Sequence, residues 1–401
     1  MKKSAHNNVL ENLFFLTIFV YPIKFLSYKF FGIDISLFKI LASTFIVISS
    51  YKNGISRFKN FNWILVPAVV LFVLNLDNFN SRIIINVINY ALIVAFLATS
   101  AAYLKKIDKR IIHFNLVRMA KLWRLLVLLA LLQVALDLLG WTLSYEAIGE
   151  YTPENRGELM GYFLLRPNSV FGEPRDLSAF AVFALVGERI LRKKSTHNSY
   201  MLAVFIGLLT QSATFFLVIG LIAIFHLFRR LGYYAYSLIP LLYLGSVGFI
   251  TWVSQIVPRI RNISNISLSQ LTSLEFSEQA GDFSFFFYLS EWYVNFNMFM
   301  FGNGIGSSNR IIGNVVYKYF PLKEEFVIIN SRWLFYNLLV DLGFISCLLL
   351  FLLMRGFYKQ LDSRFKHLFI LSVAFSMFTS NYFFVIILVL CLEFSKKGIA
   401  T

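Results

Sequence analysis

The sequence predicts an all-α polytopic membrane protein of about twelve transmembrane helices, and three observations predict it. The chain is 58% hydrophobic and only 14% charged, against roughly 45–50% and about 25% in a soluble domain. Several apolar stretches approach or exceed the roughly 20 residues that cross hydrocarbon. The 37 lysines and arginines gather in short runs between those stretches, as in "YKNGISRFK", "KKIDKR", "RILRKK" and "RGFYK".

Taken in order, the first span, 9–27, follows "MKK" and has no small-residue cleavage site, which predicts a retained helix and not a removed leader. Spans 33–51 and 61–76 flank "YKNGISRFK", and Pro67 predicts a kink in the second. Spans 82–104 and 123–143 flank segment 105–122. There the cations interleave with Ile, Phe, Leu and Met, the pattern of an amphipathic helix lying on the inner leaflet. A polar stretch, 144–176, leads into span 177–192. Gly172 and Pro174 predict a turn before it, with Asp176 and Ser178 as caps. The pairs 199–211 with 213–228, and 366–379 with 381–395, are short. Each reads as two tight helices or as one long broken one. Span 234–255 carries Pro240, a second predicted kink. Segment 256–331 is the longest polar stretch. Its aromatic patch "FSFFFYLSEWYVNFNMFMF" predicts short helices resting against the membrane face. Span 332–354 follows it. No internal repeat is evident, so residues 1–401 read as a single integral membrane domain.

Charge sets the orientation and the partners. A net charge of +16 would by itself suit nucleic acid. Its spacing between apolar runs is instead the positive-inside pattern, so no nucleic-acid partner is expected. With the N-terminus in the cytoplasm, most of the dense cationic runs fall inside and both termini are cytoplasmic. Segments 144–176 and 256–331 then become the two long outer loops. The two cysteines, Cys347 and Cys391, lie inside apolar runs and offer neither a disulfide framework nor metal-ligand spacing.

The chemistry is expected at the outer surface. "RPNSVFGEPRDLSAF", residues 166–180, crowds Arg166, Glu173, Arg175 and Asp176 against the start of a span. A helix N-terminus presents unpaired N–H groups and the positive end of its dipole there. Arg166 and Arg175 add full charge, and a guanidinium binds phosphate through paired charge-assisted hydrogen bonds. A lipid phosphate or diphosphate is the anion at hand. Ordinary head-group contact explains the arginines too, but it does not explain Glu173. An acid among such cations orients an arginine or accepts a proton from an attacking hydroxyl. Arg332 opens span 332–354 on the same side, as a second phosphate ligand or a snorkelling helix-end residue. Gly302, Gly304 and Gly306 either form a plain turn or let backbone approach a sugar or phosphate. Tyr288 and Trp292 either stack on sugar rings or belong to an interfacial aromatic belt. Asp341, inside a span, needs a partner there: a cation, Ser212 or Thr214.

The pattern R-x5-G-E-P-x2-L-S-A at a central span resembles the motif of the O-antigen polymerase and ligase superfamily, the Wzy-type polysaccharide polymerases. Three further stretches are similar to that family in the same order. They are "LLTQSAT" (208–214), "MFGNGIGSSN" (300–309) and "NSRWLFYNLLVDLGFISCL" (330–348). The resemblance implies a glycosyltransferase architecture like the GT-C class, placed in the bacterial inner membrane with a periplasmic active site. It implies a metal-independent polymerase that joins undecaprenyl-diphosphate-linked oligosaccharide units and needs no cofactor. Those lipids are the expected partners, with membrane lipids and, as a candidate, a chain-length regulator. It also implies roles. Arg166, Arg175 and Arg332 hold the diphosphate, with Gly172, Gly304 and Gly306 lining the site. All five histidines (His6, His113, His197, His226 and His367) fall on or near the inner side, so the base role goes to Glu173, with Arg166 as its catalytic partner. The alternative within the superfamily is a ligase that moves finished polymer to a lipid A-core. The alternative from another class is a transporter or flippase, which the missing repeat and the outer-loop placement of the polar groups disfavour.

Overall fold

The computed structural model describes residues 2–23, 27–30, 33–53, 81–141, 156–159, 162–167, 169–171, 174–212, 215–216, 218–220, 277–304, 306–319, 331, 333–361, 363–379 and 383–396. Spans 61–76 and 234–255, with Pro67 and Pro240, and most of 213–228 lie outside these residues.

Most of the described chain is helical. In order come α1 (Lys2–Val20), the strands β1 (Ser27–Phe30) and β2 (Ile33–Ser36), α2 (Leu37–Asn53), α3 (Ser81–Leu104) and α4 (Lys109–Leu138). Strands β3 (Arg156–Leu159) and β4 (Tyr162–Leu165) precede α5 (Pro174–Leu191) and α6 (His197–Thr210). Then follow α7 (Ser277–Ser290), α8 (Phe296–Phe301), α9 (Ser308–Tyr319), α10 (Leu334–Gln360), α11 (Ser363–Thr379) and α12 (Phe383–Lys396).

The strands amend the all-α expectation. Each pair is an antiparallel hairpin with two residues between its strands: Phe30 faces Ile33 in one, and Leu159 faces Tyr162 in the other. Such a ribbon satisfies its own backbone over a few residues, where a helix would be too short to be stable.

Helix α4 amends a second expectation. No separate surface helix occupies 105–122. Residues 105–107 turn, the Asp108 side chain accepts from the Arg110 N–H (2.9 Å), and one helix runs unbroken from Lys109 to Leu138. No glycine or proline interrupts that stretch, so nothing stops propagation. Its buried residues, Ile112, Met119, Ala120, Trp123, Val127, Ala130, Gln133 and Val134, form one stripe at helical spacing. Among the described residues, α4 and α10 are the two helices long and apolar enough to cross a membrane.

Helix α5 is the hub. Residues 176–188 are all buried, as expected of a helix that is apolar on every side. It packs against α4, α6 and α11. Trp123 of α4 meets Phe180 and Phe183 of α5 edge-on, with centroids 5.3 and 6.1 Å apart. Beside this hub, Phe14 of α1, Phe45 of α2, and Phe96 and Tyr103 of α3 interlock. A second, separate core joins α7, α9 and the first part of α10 through Tyr288, Ile312, Val316, Tyr336 and Val340.

Candidate functional site

Three helix ends meet where the opening motif lies. The chain leaves α4 at Leu138, enters α5 at Pro174 and leaves α6 at Thr210. Proline suits the first turn of α5, because its missing N–H has no helical partner to lose. This start puts Asp176 third in the helix and not at its cap. Asp176 and Ser178 are both buried.

The loop before α5 is tied to both neighbours. The Leu165 N–H donates to Asp137 Oδ2 (3.3 Å) of α4. The Ser169 N–H donates to Gln133 Oε1 (2.8 Å), and Ser169 Oγ donates to the Leu126 carbonyl (2.5 Å). Ser169 is also left-handed, at φ 50°. Arg166 reaches the other way. Its Nε donates to the carbonyl of Thr210 (3.1 Å), the last residue of α6. A cation at a helix C-terminus meets carbonyls that the helix leaves unpaired. Gln211 then turns left-handed, at φ 50°, and ends the helix inside "LLTQSAT". Thr210, Gln211 and Ser212 are all buried. Residues 165–169 thus bridge the end of α4, through Asp137 and Gln133, and the end of α6, through Thr210. The Arg166–Thr210 bond joins the two motifs. Gly172, Glu173 and the side chain of Arg175 lie outside the described residues.

The other two motifs meet each other. Helix α10 breaks at Gly343 (φ 78°, ψ 169°), which leaves carbonyls before the break without helical donors. The glycine turn fills them. The Asn303 N–H and Nδ2 donate to the Val340 carbonyl (2.9 and 3.1 Å), and the Gly304 N–H donates to the Asp341 carbonyl (3.0 Å). The Asp341 carboxylate accepts from the N–H of Ser308 (2.7 Å) and Gly306 (3.1 Å) and from Ser307 Oγ (3.4 Å), so it caps α9. Among the described residues its partners are these groups, and not Ser212 or a cation; Thr214 lies outside those residues. A Cβ on Gly302 would lie 2.5 Å from the Asp341 carbonyl oxygen, and one on Gly343 would lie 2.4 Å from the Gly302 nitrogen. Only two glycines let these backbones touch.

The N–H groups of Gly304 and Gly306 are thus taken up within this clasp. Tyr288 is buried, its ring packed between Phe299 and Tyr336 (6.2 and 5.7 Å). Trp292 is exposed, against Phe296 and Phe299. Arg332 lies outside the described residues, but its neighbour Ser331 closes a turn just before α10: Ser331 Oγ accepts from the Trp333 N–H (3.1 Å).

At the far end of α5, Glu188 is buried and accepts from Arg192 (2.8 Å) and Arg124 (3.1 Å), which ties α5 to α4. An acid four residues before an arginine was the signal that could have found it. Beyond α7, Glu291 accepts from Lys318 and Tyr319 of α9. Burial raises its carboxyl, but those two donors outweigh burial and hold it below its ordinary value. Neither family models, nor curated proteins, nor solved structures yield a match to this chain.

Proposed function

We propose that the protein is a polysaccharide polymerase of the bacterial inner membrane, of the Wzy type, with about twelve spans and a GT-C-like architecture. It joins oligosaccharide units carried on undecaprenyl diphosphate at the periplasmic face. The observation that supports this reading most is the bond from Arg166 to the end of α6. It fixes a guanidinium in the loop that leads into the buried helix α5, whose N-terminal dipole carries the same sign of charge.

In this reading the chemistry is a displacement. An acceptor hydroxyl oxygen bonds to the anomeric carbon of the donor sugar. The carbon–oxygen bond to the diphosphate breaks, and its electron pair leaves with the lipid diphosphate. Arg166, Arg175 and Arg332 stabilise that departing charge, and Glu173 takes the hydroxyl proton.

The test is the surface-glycan ladder of cells carrying single variants. Arg166→Ala and Glu173→Ala leave short or single-unit glycan while the protein stays in the membrane fraction, a loss of about 10²–10³-fold in rate. Arg166→Lys is also impaired, because an ammonium cannot make the two-pronged contact. Normal ladders in both alanine variants would reject the assignment.

A further inference from the structure

The chain around α8 carries an apolar face that is exposed among the described residues. Trp292, Tyr293, Val294, Phe296, Met298 and Phe301 are 47–69% exposed. Residues 292–301 contain no charged side chain. An uncovered patch of this size on a water-facing loop would be an aggregation site.

The patch is continuous with the exposed face of α10. Phe299 stacks on Phe344 (5.8 Å, 14° between planes). From Phe344 the exposed apolar surface continues down α10 through Ile345, Leu348, Leu349 and Phe351. On a membrane-crossing helix that face meets acyl chains.

Depth follows from helix geometry. The first charge on α10 after the break is Arg355. At 1.5 Å per residue, Phe344 stands about 16 Å above Arg355, within a hydrocarbon layer about 30 Å thick. The break, and the α8 rings stacked beside it, are therefore below the outer surface. Non-helical backbone survives at such depth only if its polar groups are satisfied within the protein. The clasp does this: Asn303, Gly304, Gly306 and Ser308 all donate to Val340 or Asp341. The charges return just where the chain would leave the lipid, at Glu291 with its partner Lys318, which is 61% exposed.

We infer that α8 and the turn before it, residues 292–301, form a re-entrant segment sunk among the acyl chains of the outer leaflet against α10. The inference rests on α10 crossing the membrane and is independent of the polymerase chemistry.

The test places single cysteines at Met298, Phe301, Leu349 and Tyr317 in the full chain, with Cys347 and Cys391 replaced by serine. Each is labelled with an environment-sensitive fluorophore in proteoliposomes. Quenching by nitroxides on the lipid chains is compared with quenching by aqueous iodide. All four labelled positions are exposed, so the cysteines placed there do not disturb a core. We expect Met298→Cys and Phe301→Cys to behave like Leu349→Cys, with several-fold weaker iodide quenching than Tyr317→Cys and strong quenching by lipid nitroxide. Iodide quenching at 298 and 301 with Leu349 protected would overturn the re-entrant segment alone. Protection at 298 and 301 from both quenchers would mean a protein covers the patch, and would also overturn it. Iodide quenching at Leu349 as well would remove the membrane-crossing α10 on which it rests.

Discussion

Asp341 is 2% exposed and gathers donors from three consecutive positions, Gly306, Ser307 and Ser308. At this scale one carboxylate holds the glycine turn and α9 to α10. Asp341→Ala leaves two buried N–H groups without their acceptor, which costs about 1–3 kcal/mol for each unsatisfied donor. Asp341→Asn keeps one acceptor oxygen and loses less. Thermal unfolding in detergent should rank wild type above Asn above Ala. Only half of this was legible in advance. An acid inside a span signals a bonded partner, but backbone N–H groups carry no side-chain identity, so the sequence pointed to Ser212 or Thr214 instead. The Glu291 contact makes a pH prediction. Its carboxyl is lowered from 4.5 by Lys318 and Tyr319, so its contribution is complete above pH 4.5 and is lost as pH falls through the lower folded value. Hydrogen bonding to Glu291 raises Lys318 above 10.5 and Tyr319 above 10.0, so their contributions are complete below those values and fade only as pH rises past the folded ones. Limited proteolysis of the segment spanning α7–α9 should be flat across neutral pH and accelerate as pH falls below 4.5, through the lower folded value. Glu291→Gln should remove that acid step.

At the scale of elements, the paired glycines are the sharpest case. Gly302 and Gly343 both have positive φ, 86° and 78°, and each occupies the space a Cβ of the other would need. Gly302→Ala or Gly343→Ala carries the strain of positive φ, about 1–3 kcal/mol, together with a backbone clash. Gly356, on the same helix with nothing near its missing Cβ, is the control. Gly356→Ala should be neutral or slightly stabilising by helix propensity. A thermal shift in Gly356→Ala as large as in the other two would contradict the clasp. The sequence showed "GNGIGSSN" and "DLG" as separate signals. Hydropathy and spacing report local periodicity, so they cannot show that two turns about forty residues apart fill each other's hydrogen bonds. The same blindness applies to α4. A change from amphipathic to wholly apolar composition looked like a boundary near residue 122, yet composition shifts do not break a helix that lacks glycine and proline. The start of α5 was legible to within three residues, because Gly172 and Pro174 are chemical punctuation.

At the scale of the molecule, the ends of α4 and α6 are tied to residues 165–169 before α5, and α7–α9 converge on the break in α10. The mostly helical character was plain from composition. The two hairpins were not, since four-residue apolar strands resemble the ends of spans. Both convergences lie at positions that the charge pattern assigns to the outer side, and both are built from the four motifs that resemble the polymerases. In the proposed function the face these motifs build lengthens a glycan by releasing lipid diphosphate. The most direct measurement is to incubate the purified protein in proteoliposomes with a defined oligosaccharide on undecaprenyl diphosphate and resolve the products by length. A polymerase gives a ladder of multiples of the unit with undecaprenyl diphosphate released, and no ladder from Arg166→Ala. Unlengthened substrate with wild-type protein, or an equal ladder from Arg166→Ala, would contradict it.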